Sequence, residues 1–370
     1  MIIGIDAHYI DGFYQGVRSL LECTIKEFPG ITSSTIALYH RDNPKPKSNC
    51  TCIEHRKLFT NAGQFNYIAG FPYVVLRDRL DVFQSHYIMP FWLPCARVVG
   101  IYDILYEKYP KYFGRLHTLQ MRTLVPRSAH YAHRVITISE FTKGEIVNRY
   151  GVKPEKVMVI PCGVSSHFRV IPDNEVNAVI EGMGIKKPYL LCVGRMAPIK
   201  NMSGMLRAFT AVAESNPELR LVVVGPNDPT FIDRNLGMEL GRVGELRKRI
   251  VFTGSIGQEQ LVALYNGATL FVFPSFGEGF GIPVLEAMAC GSPVLCSNAT
   301  SLPEVAGKVA ETFNPSDQDE FNQKLVGLLR DETRLERMGK EGPTWASRFT
   351  WRRAAEQTIS VYQQAYDESH

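Results

Sequence analysis

The chain has 370 residues, 45% of them hydrophobic and 21% charged, with a formal net charge of +4. These proportions exclude a disordered or low-complexity chain, and the length suits two domains of about 100–200 residues each. No run approaches the ~18 apolar residues that span a bilayer, and Met1–Asp6 has neither the basic flank nor the cleavage site of a signal peptide, so a cytoplasmic protein is expected.

Short apolar runs alternate with helical patterns along the chain. Strands are expected at Met1–Asp6, Thr35–Tyr39, Val82–Ser85, Arg97–Tyr102, Val135–Ile138 and Val157–Pro161. Gly16–Phe28 has the apolar stripe of a helix. Another helix opens after Ser139, a candidate N-cap, and runs to Arg149. The stretch from Cys162 to Lys187 scatters Gly, Pro, Ser and Asp and reads as a linker. A second series follows. Its strands are Tyr189–Val193, Leu219–Val224, Arg249–Thr253, Leu270–Pro274 and Pro293–Cys296; its helices are Met202–Glu214, Gln258–Tyr265 and Pro283–Ala289. Asp319–Ser369 is almost entirely helical, and periodicity does not say which domain it braces.

Strands alternating with helices imply right-handed βαβ units and mainly parallel sheets. The fold class is therefore α/β, with two doubly wound, Rossmann-like domains and a site expected in the cleft between them, beyond the carboxyl ends of the strands. The boundaries fall at 1–167 and 168–351, with the C-terminal helix, about 352–370, a candidate to join the first domain.

Charge is uneven: residues 1–165 hold 20 Lys+Arg against 13 Asp+Glu. An anionic partner on that half, a phosphate or a membrane surface, is one reading and a dispersed solvated surface the other. No cationic run is long enough for nucleic acid. None of the eight cysteines forms a CxxC pair, and Cys50, Cys52 and His55 lack a fourth metal ligand. Asp317-Gln-Asp319 reads as a helix start rather than a metal motif.

The densest chemical signal is Phe273-Pro-Ser-Phe-Gly-Glu278-Gly279-Phe280-Gly281-Ile282-Pro283-Val-Leu-Glu286. A strand ends, a glycine-rich turn follows, and a helix opens with proline in its first turn, which needs no N–H there. Free backbone N–H groups, a helix N-terminus and Glu278 are thereby brought together, able to hold an anion and orient hydroxyls. Glu286, about one turn into the helix, can face the same ligand. A capping acid and an ordinary surface glutamate are the plainer reading. The second signal is Gly194-Arg195-Met-Ala-Pro-Ile-Lys200-Asn201, where two cations flank a loop at a strand's carboxyl end. They could neutralise a diphosphate or simply be solvated.

The Glu278–Glu286 pair, with seven residues between, resembles the EX7E motif of retaining glycosyltransferases of the GT-B fold. The segment from Pro274 to Val294, together with Gly194-Arg195, Lys200-Asn201 and Leu302–Gly307, is similar to family 4 (glycosyl transferases group 1). The resemblance is strong from about 135 to 345 and looser before. It implies that Glu278, with the Gly279–Gly281 backbone and Ile282, holds the donor sugar and that Glu286 binds the nucleotide ribose. Arg195 and Lys200, beside Gly194, would bind the diphosphate and stabilise the leaving group. Thr253, Ser255 and Ile256 would lie near the nucleobase. In the first domain the loop Gly12–Arg18 would approach the phosphates at Gly16 and the acceptor at Gln15 and Arg18.

Many relatives carry His-Asp where this chain has Tyr102-Asp103, here the expected catalytic pair of the first domain. They often carry His where it has Gln84; His86 is a candidate acceptor contact in compensation. Tyrosine titrates near pH 10 and is a poor proton shuttle at neutrality. The resemblance thus implies a retaining transferase with no cofactor and no metal, moving a sugar from a nucleotide-sugar to a saccharide or lipid-linked glycan. Peripheral association with the inner membrane face, or an acceptor groove, is one reading of the aromatics and cations interleaved from Tyr102 to Arg134, and buried helix packing with a few surface cations is the plainer one. The alternatives are a catalytically silent binding subunit and a nucleotide-sugar epimerase or hydrolase on the same fold.

Overall fold

The computed structural model describes residues 1–11, 16–41, 52–58, 65–226 and 234–370. The chain divides into unit 1, Met1–Gly163 with Thr350–His370, and unit 2, Val164–Phe349.

Unit 1 is built on a seven-stranded sheet of order β3-β2-β1-β4-β5-β6-β7. The strands are β1 (Ile2–Asp6), β2 (Thr35–His40), β3 (Ile53–Lys57), β4 (Val82–His86), β5 (Ala96–Gly100), β6 (Arg134–Thr137) and β7 (Val157–Val159). Every pairing is parallel. Such a sheet is covered on both faces, which is why its central strands read as apolar runs rather than alternating ones. The core on one face joins Tyr39, Phe71, Phe83, Val99, Val125 and Ile146. The other face carries the helix Gly16–Glu27 and the C-terminal helix Trp351–Ser369, which packs on it and on β4, β5 and β6. The last helix therefore belongs to unit 1.

Unit 2 repeats the plan with six strands in the order β10-β9-β8-β11-β12-β13. They are β8 (Tyr189–Val193), β9 (Arg220–Val224), β10 (Ile250–Gly254), β11 (Leu270–Phe273), β12 (Val294–Ser297) and β13 (Glu311–Phe313), again all parallel. Its core gathers Leu190, Leu221, Phe209, Val272, Leu295, Phe313 and Phe321.

The structure corrects the sequence reading in several places. Residues 162–187 are not simply a linker: Asp173–Gly182 is a helix that buries Val176 and Ile180 and packs on the helix Gln258–Gly267. Two apolar anchors in ten residues gave too little periodicity to stand out. The sequence reading also missed β3 and β13. Both lie at sheet edges and pair on one side only, so they need less apolar sequence. The helix Arg115–Tyr131 was missed too; it carries Pro126 and buries Thr118, Met121, Val125, Ser128 and Ala129. Ser139 does cap its helix, accepting from the Thr142 N–H at 3.1 Å.

Candidate active site

In an open parallel sheet, ligands bind beyond the carboxyl ends of the strands, where the connections turn in opposite directions. In unit 2 that point lies between β8 and β11. Gly194-Arg195 leaves β8 there, and Pro274–Glu278 leaves β11. The two loops are joined directly: the Phe276 N–H donates to the Ile199 carbonyl at 2.8 Å, and Lys200 Nζ donates to Glu278 Oε1 at 2.6 Å. The Lys200 ammonium also lies 5.5 Å from the centre of the Phe273 ring, a cation–π contact. Arg195 is half-buried on the same loop.

Backbone geometry makes room for this arrangement. Gly225 ends β9 at φ 154°, and a Cβ there would fall 2.0 Å from the Gly194 carbonyl oxygen. Only glycine allows the two strand ends to approach so closely. Gly281 caps the helix Ile282–Ala289 at φ 113°, and a Cβ there would meet Leu302 at 2.5 Å. The helix N-terminus therefore opens beside Glu278; Pro283 in its first turn has no N–H, and the Val284 N–H donates to the Gly281 carbonyl at 2.9 Å.

Two residues that the sequence reading did not single out hold the Glu278 loop. The Glu278 N–H donates to Thr300 Oγ1 at 2.9 Å. The Ser301 hydroxyl lies 2.9 Å from the Glu278 carbonyl and 3.0 Å from that of Phe280. Thr300 has φ 55°, an uncommon conformation for a threonine and one retained where the surroundings impose it. Asn201 likewise sits at φ 54°, and its side chain caps the helix Met202–Ala213 through the Gly204 N–H. Hydroxyls ahead of Leu302-Pro303 are a helix-start signal that could have pointed to Ser301.

Glu286 is half-buried in the second turn of the Gly281-capped helix and accepts from the Tyr265 hydroxyl at 3.0 Å. Burial pushes its carboxyl from 4.5 up to about 7, against the opposing pull of Tyr265. Thr253 and Ser255 lie at the carboxyl end of β10, two strands from the switch point. Thr253 donates to the Gly254 carbonyl at 3.0 Å, Ser255 is exposed, and Ile256 is half-buried. Asp317 caps the helix Gln318–Leu329 by accepting from the Asp319 and Glu320 N–H groups, which accounts for the DxD sequence.

In unit 1, Gly12 and Gln15 lie outside the described residues. Gly16 is the exposed first residue of its helix, and Arg18 pairs with Glu22 at 3.1 Å. Two expectations are corrected. His86 is fully buried; its Nε2 donates to the Asp6 carbonyl at 3.0 Å, so its Nδ1 accepts from the Tyr102 hydroxyl at 2.8 Å. Burial lowers the His86 imidazole to about 4 and keeps it neutral. Neither His86 as an acceptor contact nor Tyr102 as a catalytic group has a polar atom free for substrate, because a parallel sheet's interior demands that its polar atoms pair with one another. Nearby, Tyr362 of the last helix donates to Gln84 Oε1 at 2.5 Å. Asp103 differs: it accepts from the Tyr87 hydroxyl at 3.0 Å and caps the Leu105 N–H at 3.1 Å, at the carboxyl end of β5. Cys50 is outside the described residues, and His55 stacks on His40 with a 3.0 Å contact between their ring nitrogens.

Two Rossmann-like units, each an open parallel sheet covered by helices, are the architecture of the GT-B fold. HepE from Anabaena, solved in complex with UDP-glucose, has the same fold: TM-score 0.77 at 17% identity, over 98% of this chain and 99% of that one. Residues 174–345 match the family described as Glycosyl transferases group 1, and residues 38–168 match Glycosyltransferase Family 4. O-antigen chain mannosyltransferase B from Escherichia coli is 30% identical over 291 residues, 78% of this chain and 75% of that protein. MMP alpha-(1->4)-mannosyltransferase from Mycolicibacterium hassiacum is 33% identical over 246 residues, 65% of this chain and 56% of that protein. The chain belongs to the family 4, group 1 glycosyltransferases.

Proposed function

We propose that the protein is a retaining, metal-independent mannosyltransferase that moves a sugar from a nucleotide-sugar to a saccharide or lipid-linked glycan. The observation that carries this reading is the convergence of Arg195, Lys200, Glu278 and the Gly281-capped helix on one switch point. Arg195 and Lys200 supply the positive charge that a divalent ion would otherwise bring to a departing diphosphate. Glu278 and the Gly279–Gly281 backbone hold the donor hydroxyls, and Glu286 receives those of the ribose. Thr253, Ser255 and Ile256 border the base. The acceptor oxygen attacks from the face the diphosphate leaves, and the departing phosphate oxygen takes its proton. Catalysis is then positioning plus stabilisation of the leaving charge. Mannose is favoured by the names of the two relatives.

A thermal-shift panel of UDP, GDP, ADP, CMP and dTDP, each with and without EDTA, tests the donor half, since a bound ligand raises the melting temperature. One EDTA-insensitive hit is expected. A flat response would favour the silent-subunit reading. The anomeric configuration of the product, read by proton NMR, tests retention.

Glu286 gives a pH signature. Its carboxyl titrates at about 7 in the free protein, and the ionised form is the better acceptor for ribose hydroxyls. Nucleoside diphosphate affinity should therefore rise about tenfold between pH 6 and 8 as the proton is lost. In Glu286→Gln only the ligand's own titration should remain, which paired calorimetric titrations would resolve.

Unit 1 presents a surface suited to a lipid-linked acceptor. Phe65, Ile68, Tyr73, Leu76, Phe91, Trp92, Leu116 and Leu119 are all exposed, Leu116 at 80%. Segments 55–77, 82–102 and 108–139 contain no Asp or Glu. The patch is continuous in places: the Phe91 N–H donates to the Tyr67 carbonyl, and the Arg127 guanidinium lies 4.2 Å from the centre of the Phe91 ring. Exposed aromatics and leucines beside cations such as Arg127 fit an anionic bilayer surface. Among the described residues no helix is long and apolar enough to cross a membrane. Co-sedimentation with phosphatidylglycerol vesicles should exceed that with phosphatidylcholine vesicles and fall at least fivefold in Leu116→Glu/Leu119→Glu, with nucleoside diphosphate binding unchanged.

A further inference from the structure

Unit 1 has a switch point of its own, between β1 and β4. The carboxyl end of β1 places a histidine there that none of the assignments above uses. His8 Nδ1 lies 2.6 Å from Asp6 Oδ1, and the His8 N–H donates to the same oxygen at 3.2 Å. Asp6 is fully buried and accepts at Oδ2 from the Tyr67 hydroxyl at 3.3 Å. Burial alone would raise its carboxyl, but His8 outweighs this and holds it below the ordinary range. An ionised carboxylate can only accept, so Nδ1 of His8 carries a proton, and in the neutral tautomer this fixes, the lone pair lies at Nε2. The side chain of His8 is 13% exposed, and among the described residues its Nε2 has no hydrogen-bond partner. Across the switch point, Tyr87 follows β4 at φ 60° and donates to Asp103. A tyrosine held in that conformation, tied to a carboxylate beyond β5, is the kind of strain that functional sites retain.

We propose that His8 contacts the acceptor: its Nε2 receives a hydrogen bond from an acceptor hydroxyl at the β1/β4 switch point, and buried Asp6 is the positioning residue that fixes its tautomer. This rests on the reading of a saccharide acceptor given above. No covalent step passes through His8; it holds and orients the hydroxyl. The groups surrounding His8 are Asp6 on β1, the Tyr9 ring at 4.1 Å, neutral His86 on β4 and Tyr67 beside Asp6; Arg41 and Asp103 act on Tyr9. Of these, Asp6 dominates through direct contact.

The test compares wild type, His8→Ala and His8→Gln, using the nucleotide-mannose selected by the panel and mannose-, glucose- and N-acetylglucosamine-terminated oligosaccharides as acceptor probes. His8→Ala should raise the acceptor KM at least tenfold and leave nucleoside diphosphate affinity unchanged. His8→Gln, which can also accept, should recover part of the loss. If His8→Ala does not fold, His8→Gln decides: its acceptor KM should still rise, with nucleoside diphosphate affinity unchanged. An unchanged acceptor KM in His8→Ala, or no recovery in His8→Gln, overturns the assignment while leaving the glycosyltransferase reading intact. A wild type that binds nucleoside diphosphate but transfers to none of the probes, with no shift of the His8 ring resonances on adding them, also overturns it. A wild type that binds no nucleoside diphosphate removes the underlying reading first.

Discussion

Glu278→Ala should cut sugar transfer by about 10²–10⁴-fold while nucleoside diphosphate binds at least as tightly as in the wild type. Loss of two charge-assisted hydrogen bonds to donor hydroxyls, at roughly 1.5–3 kcal/mol each, gives that range. The second half of the expectation comes from Lys200. Its ammonium is committed to Glu278 at 2.6 Å, and removing the acid releases it for phosphate, leaving the Phe273 ring beneath it. Turnover at the wild-type rate would remove Glu278 from the site. Weakened diphosphate binding would instead mean that Glu278 serves to position Lys200 for phosphate.

Arg195→Ala combined with Lys200→Ala should weaken nucleoside diphosphate binding by about 3–5 kcal/mol and leave the free nucleoside unaffected, as measured by calorimetry with both ligands. The two substitutions should not contribute equally. Lys200→Ala leaves the Glu278 carboxylate unpaired where the diphosphate must lie, adding repulsion to the lost attraction. Removing Glu278 as well should restore part of the affinity, a coupling that a double-mutant cycle reads directly. Equal wild-type affinity for nucleoside and nucleoside diphosphate would defeat the assignment.

Some of this site can be read from a linear sequence because its logic is local. A strand, a glycine-rich turn, an acid and a proline-opened helix follow one another within Phe273–Glu286, and chemistry can be inferred from that order. The first unit resists such reading. Tyr102 and His86 stand at promising strand ends, yet their polar atoms turn toward one another, and only the packing of Gln84, Tyr362 and the Asp6 carbonyl around them shows it. Asp6 and His8 are two residues apart in an ordinary-looking strand end. Their pairing matters because β4 arrives beside β1 from about eighty residues away, and no local pattern records that. Thr300 and Ser301 are similar: their value lies in the loop they hold, more than twenty residues earlier. The edge strands β3 and β13 were missed because a strand paired on one side needs little apolar sequence. The helix Trp351–Ser369 was plain as a helix, but its place in the fold depends on long-range contacts with Gly16–Glu27.

The placement of that last helix orders the molecule's birth. Unit 2 is one continuous segment, Val164–Phe349, whereas unit 1 is interrupted and closes only with residues 350–370. A ribosome adding residues at about 5–20 per second finishes all of unit 2 before unit 1 receives Trp351, Ala355 and Tyr362, which seal its buried face. The half of the chain that begins first is thus the half that matures last. Until then Gln84 lacks the Tyr362 hydroxyl, and the apolar residues Leu21, Ile25 and Ile136 that share that cavity wait uncovered. A chain truncated at residue 349 would hold unit 2 whole and unit 1 open, a natural client for a holding chaperone.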